Sequence, residues 1–553
     1  MHRLSRRIGQ SYISNAQSPS LLTRQISITC RGKSISQEDL FKYTNGRFLI
    51  DEEFQCKKRH VRFDASSLCE LVGSLSESVS PVIAIEKLEG GFSKALLMKR
   101  ADGTEIVAKI PCRNAGPPHY TTASEVAVLD YIREHTSIPA PKVLAWNSNS
   151  SNPVGAEYII MDKARGVQLF QNWSDIGGLA RLSIINQLVE IEREMARIRF
   201  PALGHLYHSE SIDNDKSYIH LDSSIDPPGA YCIGPSCDHA WHTPVDFSGR
   251  NTNINGPWRT LAEYGLALVS REKHRVITET PPDNLCHPII NLNQRIAVLE
   301  AAAKVMESLH TNAHLCDFGF PLLWHTDLHM GNIFVSQSEP AKIVSIIDWQ
   351  SIGVGPAFLQ VRWPVFLEPP ADYALGLVKP KIPDNFDDLD AVDWEITNYK
   401  FKQANRTKAY ETATFLNNKF AHNARNVNGI FKELFVRCDE AFEDGIVPLR
   451  DCLIHISQSW NEIGFTGSSP IHFSLEEIEA HRQDYDQYQE FHKIQRFAQE
   501  YLDTDAEGWI PPGVDFEEKL KQNRELFELF LGQMAQGRKR QELIEIWPFS
   551  TAF

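Results

Sequence analysis

The spacing of apolar positions changes character twice along the chain. From Pro81 onward, Val82-Ile83-Ala84-Ile85 and residues 95–99 and 105–110 form short aliphatic runs. They are parted by Gly90-Gly91 and by the turn-forming pair Asp102-Gly103. These runs predict a small antiparallel sheet. A helix is expected over 122–134, stopped by Ile138-Pro139-Ala140-Pro141, and residues 143–146 and 157–161 then supply two more strands, five in all. Beyond Asp162 the apolar period becomes helical, most clearly over 178–198 and 292–310. Short strands return over 318–349. The remainder again reads as helix, and Ser474-Leu475-Glu476-Glu477 fits a capping box. Residues 208–256 are rich in Ser, Asp, Asn, Gly and Pro and read as an irregular surface insertion.

The layout is α+β, a small sheet-rich lobe joined to a large helical one. It divides into a leader (1–37), an extension (38–80), the small lobe (81–162), the large lobe with its insertion (163–430) and a C-terminal helical region (431–553). With 42% hydrophobic and 23% charged residues over 553 positions, the chain can build a large core without staples. Its ten cysteines are mostly far apart and read as reduced thiols rather than a disulfide framework. Cys232, Cys237, His239 and His242 lie close enough to suggest zinc, but their spacing departs from that of a finger, so they read as packing or loop residues.

Charge adds a location. Arg3, Arg6, Arg7, Arg24, Arg31 and Lys33 precede the first acidic residue, Glu38, in a serine-rich stretch. That composition is expected of a mitochondrial matrix targeting peptide; the plainer alternative is a disordered basic tail. The formal charge of the whole is nevertheless −15. So acidic a body is unsuited to nucleic acid or anionic membranes, which need clustered Lys and Arg. No apolar run in the sequence reaches the length of a membrane span.

Candidate chemistry lies in two places. Leu322-Leu323-Trp324-His325-Thr326-Asp327-Leu328-His329-Met330-Gly331-Asn332-Ile333-Phe334-Val335 is followed by Ile343-Val344-Ser345-Ile346-Ile347-Asp348-Trp349. If the two apolar runs pair as a hairpin, Asn332 enters the first strand beside Asp348 leaving the second. An amide oxygen and a carboxylate at one end of a rigid hairpin suit a hard cation such as Mg²⁺. Asp327, five residues before Asn332, could accept or orient the proton of an attacking hydroxyl. The bland reading makes His325, Asp327 and Asn332 turn formers.

In the small lobe, strand alternation sets Lys109 and Val107 opposite Ile106, Ala108 and Ile110, so a cation stands on an apolar strand. Glu125 shares a helical face with Val128, Leu129 and Ile132 and is its natural partner, although Thr122-x-x-Glu125 could also be a capping box. Gly90 and Gly91, with Ser93 after them, form a turn whose backbone could approach phosphate. A plain tight turn is the alternative.

The order of these motifs resembles the aminoglycoside phosphotransferase and choline kinase group within the protein-kinase-like fold. His325-Thr326-Asp327-Leu328-His329-Met330-Gly331-Asn332, Ile347-Asp348-Trp349 and Val107-Ala108-Lys109-Ile110-Pro111 carry the likeness, and the wider text is similar to fungal mitochondrial members. The resemblance implies a bilobal fold and transfer of the ATP γ-phosphoryl group to a hydroxyl of a small molecule. Asp327 would be the catalytic base, Asn332 and Asp348 the Mg²⁺ ligands, Lys109 the phosphate contact and Glu125 its partner. The segment around 158–162, including Met161, would be the hinge beside adenine. Trp349 replaces the Phe-Gly of protein kinases, and no Ala-Pro-Glu closes an activation segment, which favours a small acceptor. Met330 stands where many relatives have Pro, altering loop stiffness and no ligand. A nucleotide-binding scaffold and an atypical protein kinase are the alternatives. The acceptor and the oligomeric state stay open.

Overall fold

The computed structural model describes residues 26–76, 78–212, 217–241, 254–279, 291–534, 543–544 and 546–549. Residues 1–25 of the expected leader, and His242, lie outside the described residues.

Alternation along the strands builds the small lobe. Val82–Glu89, Ser93–Arg100 and Glu105–Pro111 pair antiparallel in sequence order, and Tyr158–Asp162 and Val143–Asn147 extend the sheet on the far side. Ile106, Ala108 and Ile110 point to one face, where Leu40, Phe63, Leu68 and Val72 cover them. The 38–80 extension is thus the outer layer of the sheet. On the other face lie Val107 and Met161, packed with Val126 and Leu129 of the Tyr120–His135 helix.

The sheet has seven strands rather than five. Ser27–Cys30 runs parallel to Val82–Glu89, and Lys33–Ser34 pairs with Ser27–Cys30. The leader reading is thereby confined to residues before Ser27, because a partner strand is available to residues that look merely basic in sequence.

The expected surface insertion is corrected in its first half. His205–His208, Ile219–His220 and Tyr231–Gly234 form a second sheet with Tyr231–Gly234 in the centre, and Tyr231, Cys232 and Ile233 are buried. Strands this short are hidden in sequence by the turn formers between them. The Tyr120–His135 helix is buried between this sheet and the larger one. Cys232 and Cys237 are buried too, which pushes their thiols up to about 11 and about 12, and no group of three metal-capable side chains occurs among the described residues.

In the large lobe, Gly178–Arg197 and Ala391–Asn417 pack together and share a core with the short strands that flank the Asp327 and Asp348 loops. Leu261–Thr278 and Leu292–Ser308 join Gly429–Asp439 and Val447–Gln458 in one further core, including Leu268, Leu299, Phe431 and Leu453. A boundary at residue 430 would cut through it. Beyond it, Leu475–Leu502 begins with the expected Ser474–Glu477 capping box. Leu475–Leu502 and Phe516–Met534 form a last core with Leu49, and Trp509–Ile510 pairs with Arg47–Phe48. Among the described residues no helix is long and apolar enough to cross a membrane.

Candidate active site

The candidate hairpin forms as its two apolar runs require. Ile333–Val335 pairs antiparallel with Ile343–Ile346, and the Ile347 N–H donates to the Asn332 carbonyl at 3.0 Å, so Asn332 and Asp348 leave the same end. A third strand, Val167–Gln168, lies against the hairpin. It can approach because Gly166 has φ +86° and no side chain: a Cβ there would stand 2.2 Å from the Val335 carbonyl. Gln168 then donates to the Gly331 carbonyl at 2.9 Å. Sequence reasoning gave no role to Gln168, and only the glycine before it offered a signal.

The loop before the hairpin is braced by two imidazoles. Asp327 N–H donates to His325 Nδ1 at 3.3 Å, which leaves the proton on Nε2 to reach the Ile347 carbonyl at 3.0 Å. Burial pushes His325 below its ordinary value, so it stays neutral and ties the Asp327 loop to the residue before Asp348. His329 Nδ1 accepts from Gly331 N–H at 2.9 Å, while its Nε2 stands 3.8 Å from Asp327. Trp349 is fully buried and meets the His325 ring edge-on at 4.7 Å, forming the floor.

Asn332 Nδ2 donates to the Asp327 carbonyl at 3.0 Å. Its amide oxygen is used by no hydrogen bond of the described residues. Asp348 has φ +64°, a left-handed conformation uncommon outside glycine, and its side chain is about half exposed. An amide oxygen and a carboxylate presented together fit a hard cation that takes few protein ligands.

Lys109 joins the lobes. Its buried ammonium lies 2.7 Å from Glu125 and 3.1 Å from Asp348. Burial alone would lower it, but the two carboxylates outweigh that and hold it above its ordinary value. Lys109 in turn holds Asp348 below the usual carboxylate range. The capping alternative for Glu125 is not what the structure shows: the helix starts two residues before Thr122, whose hydroxyl donates to Glu157 at 2.6 Å. Glu157 also takes the His119 N–H at 2.9 Å, fixing the helix start.

Gly90 and Gly91 close the turn before Ser93, with Gly90 N–H donating to the Ser93 carbonyl at 3.1 Å. Added Cβ atoms would meet nothing nearer than 3.9 Å at Gly90 and nothing within 4 Å at Gly91, so one side of this backbone is open. Met161 is buried, with Val107 and Val143 as strand partners. The structure thus gathers Lys109, Glu125 and Asp348, and separately Asp327 and Asn332, around one loop system. The glycine turn and Met161 lie on the same small-lobe sheet.

Residues 259–359, which include Asp327, Asn332 and Asp348, match the model of the phosphotransferase enzyme family. A subtelomeric hrmA-associated cluster protein of Aspergillus fumigatus is 28% identical over 495 residues, covering 83% of this chain and 95% of that protein. Altered inheritance of mitochondria protein 9 of Yarrowia lipolytica is 24% identical over 524 residues, covering 86% of this chain and 85% of that protein. Among solved structures, the ADP-bound aminoglycoside phosphotransferase APH(2'')-Ib is similar with a TM-score of 0.35 and 12% identity, covering 70% of this chain and 97% of that one. The stretch that holds Asp327, Asn332 and Asp348 is thus similar to the phosphotransferase enzyme family over residues 259–359.

Proposed function

We propose that the chain transfers the γ-phosphoryl group of ATP to a hydroxyl of a small molecule in mitochondria, in the matrix. The observation that supports this reading is the contact of Lys109 with both Glu125 and Asp348, a cation suited to phosphate beside a carboxylate suited to a metal. The fungal relative whose name includes mitochondria, together with the basic leader, supports the location.

In this reading Asp327 takes the acceptor hydroxyl's proton as its oxygen bonds to the γ-phosphorus. The bond to the β–γ bridging oxygen breaks and ADP leaves. Lys109 would contact phosphate oxygens, the open backbone of the Gly90-Gly91 turn with Ser93 would approach the phosphates, and Met161 would border the adenine. Asn332 and Asp348 would hold Mg²⁺. When bound, that cation neutralises charge on the phosphate oxygens. Glu125 keeps Lys109 extended, and His325 keeps the Asp327 loop in register with Asp348.

A mitochondrial metabolite extract incubated with γ-labelled ATP tests this directly. Wild type should label at least one small-molecule pool, whereas Asp327→Asn should lose on the order of a thousandfold in rate or more. Nucleotide binding with background labelling by both proteins would mark a scaffold, and label confined to proteins would mark a protein kinase; either outcome overturns the reading.

A further inference from the structure

Three cations gather beside the Asp327 loop with no carboxylate in ion-pair contact among the described residues. Arg425 is 8% exposed, and all three of its guanidinium nitrogens lack a hydrogen-bond partner. It lies over the Trp363 ring at 3.7 Å and 5.3 Å from the Tyr410 ring. Lys432 donates to the Arg425 carbonyl at 3.1 Å. Arg362, the chain neighbour of Trp363, is exposed and lines a cavity of about 240 Å³ together with Thr326, Ser351 and Gln360. The Val365 N–H donates to the Leu328 carbonyl at 3.1 Å, fastening this segment to the catalytic loop.

The nearby acids do not cancel this charge. Glu192 is fully buried, and burial pushes it up to about 8 against the opposing effects of Tyr410 and of Arg425, which stands beyond ion-pair distance; it accepts the Tyr410 hydroxyl at 2.7 Å. Glu411 is taken by Tyr373, by the Gly376 N–H and by Lys408. Asp327 and Glu368 act on Arg362 from beyond ion-pair distance, and Asp238, the one carboxylate lining the cavity, accepts the Ala240 N–H at 3.1 Å. Lys432 is pushed down to about 8 by burial and by the charges of Arg425 and Arg362. Neither Arg425 nor Lys432 lines the cavity; their charge acts beside Arg362, and an anion at Arg362 offsets the repulsion among the three.

We propose that the acceptor is a hydroxyl compound that also carries an anionic oxygen group, a carboxylate or a phosphate, seated by Arg362 at this cavity with Arg425 and Lys432 behind it. The inference rests on the phosphotransfer reading above. Arginine suits the task because its planar fork meets either group through two parallel hydrogen bonds. Thr326 places the cavity next to Asp327, so one molecule spans from the anion site to the base.

Calorimetric titration of the full chain with D-glycerate, glycerol 3-phosphate, glycerol and choline, each in the presence of a Mg²⁺-bound non-hydrolysable ATP analogue, tests it. At least one anionic probe should bind ten times more tightly than glycerol and choline, and the better of the two identifies the group as carboxylate or phosphate. Arg362→Ala should remove that advantage and Arg362→Lys should restore part of it; the position is exposed, so both variants should melt as wild type does. Equal binding of glycerol or choline, or undiminished anion binding by Arg362→Ala, overturns the proposal. If the wild-type chain does not bind the nucleotide, phosphotransfer itself fails. If it binds the nucleotide and prefers no anion, only the anionic acceptor fails.

Discussion

Lys109 and Glu192 are both buried, and they meet the same desolvation penalty in opposite ways. Lys109 keeps its charge because Glu125 and Asp348 surround it. Glu192 has no cation within ion-pair distance, only the more distant charge of Arg425, and takes up a proton instead. Its value rises from 4.5 to about 8 in the folded chain, so its contribution to stability is full below about 4.5 and is lost as pH rises through about 8. Unfolding of wild type followed between those limits should show a loss on the order of 5 kcal/mol that Glu192→Gln reduces by at least half. An unchanged slope in the variant would assign the pH dependence elsewhere. The Lys109–Glu125 pair was legible because strand alternation and helical spacing each put a charge on an apolar face. Glu192 lies four residues after Leu188 on such a face as well, but its partner Tyr410 is more than two hundred residues away in the chain.

The glycine turn shows how an element is held from outside its own sequence. Arg59 Nε donates to the Gly91 carbonyl at 3.2 Å, and Asn114 reaches the same oxygen at 3.1 Å. Arg59 is itself fixed by Gln55 at 2.8 Å, by the Phe48 ring at 4.6 Å and by Glu507 from the C-terminal region. Removing this support should loosen the turn that the phosphates are proposed to meet. Arg59→Ala is expected to weaken Mg-ATP binding about tenfold, which is about 1.4 kcal/mol, with Arg59→Lys between the two. Nucleotide titration checks this, and equal affinities would show that the turn holds its shape alone. The turn itself was legible from Gly90-Gly91 between two strand patterns. Its support was not, because a single arginine near a helix end has no periodic signature.

Across the whole molecule the cores ignore the sequence boundaries. Phe431 and Leu434 pack with Leu268, Leu299 and Val305, and Leu49 of the extension packs with Leu502, Phe527 and Trp547. A chain ending at residue 430 leaves the Leu261–Thr278 and Leu292–Ser308 helices with an exposed apolar face. Each large side chain removed from such a core costs about 2–5 kcal/mol, and several are lost together. The truncated chain should therefore show no cooperative thermal transition by circular dichroism. A sharp transition near that of the full chain would restore 430 as a domain end.

The strands, the long helices, the glycine turn and the hairpin that presents Asn332 and Asp348 follow from local periodicity and turn chemistry, whose signals span only a few residues. The pairing of Lys109 with Glu125 follows in the same way, whereas the candidate role of Asp327 rests mainly on the family resemblance. Tertiary structure decided the rest. It added Ser27–Cys30 and Lys33–Ser34 to the sheet, made two strands of an apparent insertion, and linked Glu507 through Arg59 to Gly91. It also brought Arg362, Arg425 and Lys432 beside the Asp327 loop. Those contacts join residues far apart in the chain, and packing rather than spacing selects them.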